Sequence, residues 1–129
     1  MTDDDNAQNK ACRSLLATVI LLAVADSCLA PPRPAKGEKP KIPMATDAFT
    51  AMRFLFDESL SGLSEYAAWL DMEPSHFRRK LLETMSDNSP RIINGHDPTD
   101  RRTFRYNYGV WYRTKNYDVQ QDEDDETTS

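Results

Sequence analysis

Residues 63–85, LSEYAAWLDMEPSHFRRKLLETM, decide the fold that we predict for the chain. Tyr66 and Leu70 are four residues apart, so both lie on one face of a first helix. Pro74 suits the first turn of a second helix, because its missing N–H group costs nothing there. The apolar face of that second helix repeats every four residues, at Phe77, Leu81 and Met85. The stretch therefore predicts two short helices separated by a sharp turn.

The second helix carries cationic side chains on the side opposite its apolar face. A helix, a short turn and a cationic second helix make up the helix-turn-helix pattern of DNA-binding proteins. Arginine donates two hydrogen bonds to guanine in the major groove, and both Lys and Arg neutralise phosphate. We expect Arg78 and Arg79 to approach base edges together with Ser75, and Lys80 to contact phosphate. Two alternatives are a solvated cationic face without a ligand and a helix of this shape that binds protein.

The same stretch resembles the helix-turn-helix of bacterial and phage transcription regulators. The resemblance implies a small residue at Ala67, where the two helices of that family approach each other. The family's buried positions correspond to Tyr66, Leu70, Met72 and Phe77. The side chains that the family projects towards DNA correspond to Ser75, Arg78 and Arg79.

Two positions depart from the family pattern. Asp71 stands where the family has a glycine in the turn, and aspartate tolerates a positive φ better than most residues do. Lys80 stands at a position that is usually apolar, so Leu81 has to fill that place in the core. Over a wider range, from residues 11–28 to the motif, the chain resembles small phage and prophage proteins.

An apolar run at residues 14–25 precedes the motif and raises the question of export. Residues 1–10 are acidic, whereas a secretory signal begins with net positive charge. The run is about a dozen residues long, which is short of the ~20 that a membrane-spanning helix needs. We therefore expect a retained helix in a cytoplasmic protein, with a signal segment as the alternative. Because this helix is apolar nearly all round, it should form the central strut of the bundle and pack against Trp69, Phe77 and Leu81.

The C-terminal third holds a second group of arginines among aromatic residues. Residues 103–114, TFRYNYGVWYRT, are β-prone and predict a short hairpin. Such a hairpin could grip DNA beside the second helix, or its rings could stack single-stranded bases. The arginines of this second candidate surface are Arg101, Arg102, Arg105 and Arg113. Alternatively, the aromatic residues close the core of a helical bundle.

Length and charge set the domain organisation. A chain of 129 residues accommodates one domain, which we place at residues 11–117 with a proline-rich linker at 31–43 inside it. The net charge of −5 argues against a uniformly cationic surface, but residues 74–116 carry nine Lys or Arg against four Asp or Glu. We expect the acidic arm at residues 1–10 and the acidic tail at 118–129 to be disordered.

The sequence contains no enzyme signature. It lacks a glycine-rich phosphate loop, a cysteine pair at metal-binding spacing and a nucleophile elbow, so we expect no catalytic residue, no metal and no cofactor. Cys12 and Cys28 are sixteen residues apart, which on one helix separates them by about 24 Å. That distance exceeds the reach of a disulfide, so both should be reduced thiols.

Together these features predict a mainly α-helical fold. It is a small helical bundle containing a helix-turn-helix at residues 63–85 and a short C-terminal β-hairpin at 103–114. The predicted function is that of a small non-enzymatic transcriptional regulator that binds duplex DNA, with no membrane association and with homodimerisation as an option. The alternative is a phage-type protein-binding module that modulates a host factor without contacting DNA.

Overall fold

Five helices make up the described part of the chain in a computed structural model of the protein. Residues 3–38, 43–58 and 62–127 are described, with side chains described for 7–38, 43–58 and 62–114. Within these ranges the protein is mainly α-helical, as predicted, and the single β-bridge joins Ile93 to His96. The helices are α1 (Asp3–Ser27), α2 (Thr46–Phe56), α3 (Gly62–Trp69), α4 (Pro74–Met85) and α5 (Pro98–Thr127).

The hydrophobic core is centred on α2. This helix packs against α1, α3 and α5, and its Met52 and Leu55 are fully buried. Each such side chain stabilises the fold by about 1.5–3 kcal/mol relative to exposure. The core residues contributed by other segments are Val24, Met44, Leu81, Met85, Phe104, Val110 and Trp111. The helix that follows the proline-rich linker is therefore the central element of the bundle.

α1 packs through one face only. Ile20 and Val24 are buried against the bundle, whereas Leu15 is 66% exposed and Leu22 is 58% exposed on the other side. The prediction that this helix is the central strut is wrong, because α2 occupies the centre and leaves α1 at the edge. Within the described residues of the chain, none of the five helices is both long and apolar enough to cross a membrane.

The prediction for the aromatic residues of the central stretch holds in part. Leu81 is buried and Phe77 is half-buried, but Trp69 is 74% exposed. Trp69 follows the completely buried Ala67 by two residues, which turns it about 200° around the helix axis. Its burial was therefore predicted wrongly, since Leu63 and Ala67 form the inner face of α3.

The turn between α3 and α4 has a left-handed residue at its centre. Asp71 has a φ of 53°, and the N–H of Met72 donates to the carbonyl of Ala67 at 2.9 Å. This hydrogen bond reaches five residues back along the chain, from the N–H of residue 72 to the carbonyl of residue 67. It is the closing hydrogen bond that accompanies a left-handed residue at a helix C-terminus. α1 reinforces the turn, because the Arg13 guanidinium lies 3.3 Å from the Asp71 carboxylate and donates to the Leu70 carbonyl at 3.2 Å.

Residues 103–114 lie within α5, so the predicted C-terminal hairpin is wrong. Phe104, Tyr108 and Trp111 recur at intervals of four and three, which places them on one helical face towards the core. Burial of that face outweighs the β-propensity of aromatic residues, which depends strongly on context. α1 and α5 also extend into the two acidic segments at residues 1–10 and 118–129. Disorder of those segments in solution stays a prediction.

α2 and α3 approach each other closely at Gly62. A Cβ atom at this position would lie 2.6 Å from Cε2 of the Phe54 ring. The ring in turn packs edge-to-face on Tyr66, with ring centroids 5.4 Å apart. The absence of a side chain at Gly62 is therefore what lets Phe54 fill the junction between the two helices.

Candidate nucleic-acid interface

The outward face of α4 carries four of the polar side chains in its first two turns. Ser75, His76, Arg79 and Lys80 are all exposed. Nη2 of Arg79 lies 2.9 Å from Nδ1 of His76, and Nζ of Lys80 lies 3.7 Å from the Glu83 carboxylate. The side chains of this Lys80–Glu83 pair are 63% and 60% exposed. An exposed pair of this kind contributes about 0–1 kcal/mol, so Lys80 can exchange it for a phosphate.

Arg78 does not share that outward face. Its Nε donates to the carbonyl of Leu55 at 2.7 Å, and its Nη2 lies 3.4 Å from the Ser64 hydroxyl. The Leu55 carbonyl belongs to the last turn of α2, where a cation complements the helix dipole. Arg78 is therefore half-buried and ties α2, α3 and α4 together. Arg78 and Arg79 look equivalent in the sequence, but one helical step of about 100° gives them different surroundings.

Arg101 is completely buried, so its side chain is not exposed for the DNA contact predicted for it. Its guanidinium lies inside the segment that connects α4 to α5. There its N–H groups donate to the backbone carbonyls of Asp87, Ser89 and Arg91. This role could not be predicted from the sequence, because local patterns do not place residues 86–97 around the side chain.

The same connecting segment contains a strongly anchored carboxylate. The backbone N–H of Ser89 donates to Oδ1 of Asp87 at 2.8 Å, and this contact is the main reason why the pKa of Asp87 lies below its ordinary value. The Arg101 guanidinium, 3.5 Å away, lowers the pKa further. Asn94 and Gly95 then reverse the chain with φ angles of 51° and 81°, a conformation that Asn and Gly adopt readily.

The remaining arginines of α5 fall into two environments. Arg105 is half-buried, and its Nη1 donates to the carbonyl of Met85 at the end of α4, at 2.6 Å. Arg102 and Arg113 are exposed on the side of α5 opposite Phe104. The structure thus leaves five of the eight predicted contact residues exposed, namely Ser75, Arg79, Lys80, Arg102 and Arg113.

A cleft that was not predicted from the sequence separates α4 from α5. Its volume is about 690 Å³. Arg79 and Ser75 line it from α4, and Tyr108 and Tyr112 line it from α5. The available signal was the spacing of Phe104, Tyr108 and Tyr112 at intervals of four residues, which forms a stripe only if the segment is helical.

The two thiols and the acidic side chains form no metal site among the described residues, where no three His, Cys, Asp or Glu are grouped to hold an ion. Cys12 is exposed and Cys28 is half-buried, and neither forms a disulfide. Burial is the main cause that raises the pKa of the Cys28 thiol to about 11.

No family model, curated protein or solved structure matches this chain.

Proposed function

We propose that this protein is a small non-enzymatic transcriptional regulator that binds duplex DNA through α3, the Asp71 turn and α4. The left-handed backbone at Asp71 carries the proposal, because that position corresponds to the turn glycine of the helix-turn-helix. Ala67 supports it, since it is completely buried where the motif requires a small residue. Lys80 is exposed although the motif usually has an apolar residue at that position, and the neighbouring Leu81 is buried. Leu81 therefore supplies the core side chain that the motif needs there.

In the proposed complex, α4 enters the major groove with its N-terminal half. Arg79 donates to a base edge, and Lys80 contacts a phosphate. The N-terminal end of α4 favours phosphate through the helix dipole. Arg102 and Arg113, on the outward face of α5, contact the flanking backbone if the DNA extends along that helix. Regulation then consists of occupying a DNA site in the cytoplasm, without a cofactor.

A double substitution tests this proposal. Arg79→Ala/Lys80→Ala should abolish specific duplex binding, since each lost bidentate base contact costs roughly 1–3 kcal/mol. Arg78 is left unchanged, because its hydrogen bond to Leu55 supports the fold. A gel shift against genomic fragments at two salt concentrations measures the binding, which should weaken steeply as salt rises.

The matched control is Arg33→Ala/Lys36→Ala, which removes the same charges from exposed positions in the linker. This variant should bind DNA as the parent does. If the α4 double variant also binds as the parent does, α4 is not the reader.

A second candidate function is protein binding. The observation that favours it is the unpaired apolar side of α1, where Leu15 and Leu21 are each 66% exposed and Leu22 is 58% exposed. Apolar residues grouped on a surface are typical of contact sites for other proteins. Leu15→Ser/Leu22→Ser should then abolish co-purification of a host factor while leaving duplex binding intact. Co-purification that is unaffected by this variant would count against α1 as the contact surface.

A further inference from the structure

The cleft between α4 and α5 has the dimensions of a ligand site. Its volume of about 690 Å³ falls within the ~300–1,000 Å³ of typical small-molecule pockets. Its floor is apolar, formed by the buried rings of Phe104 and Trp111 with Leu82 from α4. Pockets of this type combine an apolar lining with a few polar groups that orient the ligand.

One wall of the cleft is a ladder of stacked rings along α5. The rings of Phe104 and Tyr108 are 6.2 Å apart at an interplanar angle of 9°, and those of Tyr108 and Tyr112 are 6.1 Å apart at 28°. Tyr112 ends this ladder within the described residues and is 49% exposed. A planar ring from a ligand could therefore continue the stack on Tyr112.

The polar groups at the cleft are mainly cationic. Arg79 is exposed at the α4 wall, and Arg105 uses one N–H for the Met85 carbonyl and keeps further donors, since a guanidinium has five. Two acids, Glu58 and Glu83, also border the cleft. Glu83 is drawn towards Lys80, whose Nζ lies 3.7 Å from its carboxylate. With Arg78, three guanidinium groups thus stand against two carboxylates.

We propose that this cleft binds a nucleotide unit, with its base stacked on Tyr112 and its phosphate held by Arg79 and Arg105. Stacking on aromatic side chains accepts any base, because every base has a π-face. The same chemistry has two sources: a free nucleotide, and an unpaired nucleotide at the end of a DNA strand. The two proposals share Arg79, but this one does not rest on duplex binding, because Tyr112 and Arg105 belong to α5 and lie outside the proposed helix-turn-helix.

Tryptophan fluorescence provides a direct assay. The chain has two tryptophans, Trp69 at 74% exposure outside the cleft and Trp111 within its lining. In a Trp69→Phe background, Trp111 is the remaining indole and reports on the cleft. Adenosine monophosphate should quench it saturably, whereas inorganic phosphate or adenosine alone should bind more weakly because each offers half of the contacts.

Two tyrosines of α5 supply matched variants. Tyr112→Ala removes the exposed ring of the ladder, and binding should weaken roughly tenfold or more, the typical loss for one stacking contact. Tyr106→Ala removes a ring of similar exposure, 46% against 49%, whose hydroxyl donates to the Pro43 carbonyl and which does not line the cleft. The Tyr106 variant should bind the nucleotide as the parent does. Equal binding by the Tyr112 variant and the parent would overturn the proposal.

Oligonucleotides then separate the two sources. Saturable quenching by a duplex with a single-stranded overhang but not by adenosine monophosphate identifies the strand end as the ligand. Quenching by adenosine monophosphate but not by the overhang identifies the free nucleotide, and comparable quenching by both supports a site for the nucleotide unit common to the two. Absence of quenching by either overturns the proposal, as does quenching only by an acidic aromatic peptide. Lys80→Ala distinguishes the two functions, because Lys80 does not line the cleft: it should weaken blunt-duplex binding and leave nucleotide quenching unchanged.

Discussion

The side-chain amide of Asn107 donates to the carbonyl of Ser27 at 2.9 Å, joining α5 to the C-terminus of α1 across eighty residues of sequence. The same Nδ2 donates to the carbonyl of Leu29 at 2.8 Å. The last carbonyls of a helix lack hydrogen-bond donors within the helix. Asn107 supplies a donor to the carbonyl of Ser27, which is buried and would otherwise be unsatisfied. A buried polar residue in α5 therefore fixes where α1 ends against the bundle.

Replacement of Asn107 by leucine should destabilise the protein, although the two side chains are similar in size. The Ser27 carbonyl would lose its donor inside the core, where an unsatisfied group costs about 1–3 kcal/mol. Denaturant unfolding monitored by circular dichroism measures the change. Asn88→Leu, at an exposed position, is the control and should shift the midpoint little. Equal midpoints for both variants would show that the Asn107 contact is not stabilising.

Neighbouring arginines should respond very differently to truncation. Arg101→Ala should lower the free energy of unfolding by about 1–3 kcal/mol, because the Ser89 and Arg91 carbonyls would lose their side-chain donor. Arg102→Ala, one residue further on the exposed side, should change it by no more than about 0.5 kcal/mol. Thermal and chemical unfolding of both variants test the contrast. A mild effect at Arg101 would contradict its role in holding residues 86–97.

Asp87 should make stability depend on acid pH. Its pKa is lowered from 3.8 in the folded state, first by the hydrogen bond from the Ser89 backbone N–H. The ionised form therefore stabilises the fold above pH 3.8, and this contribution is lost as the pH falls through the lowered pKa. Asp87→Asn keeps an acceptor for Ser89 and removes the charge. The stability difference between parent and variant should shrink as the pH is lowered from neutral; a constant difference would contradict the prediction.

The two thiols should react with alkylating reagents in a fixed order. Cys12 is exposed, whereas Cys28 is half-buried and its pKa is raised to about 11, chiefly by burial. The thiolate is the reactive form, so Cys28 should be modified slowly at neutral pH. Peptide mapping after limited iodoacetamide treatment should find label at Cys12 first. In denaturant the preference should disappear, and preferential labelling of Cys28 in the native protein would refute the assigned burial.

Periodicity predicted α4 well because its signals are local. Pro74 at its start and the four-residue repeat to Met85 act within one or two turns, and the structure has the same bounds. The left-handed turn at Asp71 was also accessible, since the resemblance marks that position for a glycine. Such features depend on neighbouring residues, which the sequence lists side by side.

The errors concern surroundings that only the tertiary fold supplies. α1 is apolar on most sides, but whether its sides are covered depends on where the linker directs α2. Trp69 is exposed because other helices do not reach the outer side of α3. The arginines illustrate the same limit: Arg101 and Arg105 are recruited by carbonyls of a connecting segment and a helix end, and charge patterning alone cannot distinguish such recruitment from a free cationic surface.

The contact between Gly62 and Phe54 couples the evolutionary histories of two positions. A side chain at residue 62 would occupy the space that the ring already fills, with a Cβ only 2.6 Å from its edge. Gly62→Ala alone therefore requires the Phe54 ring to shift, and prior replacement of Phe54 by a smaller residue such as leucine removes that requirement. The effect of a side chain at residue 62 thus depends on which residue stands at 54.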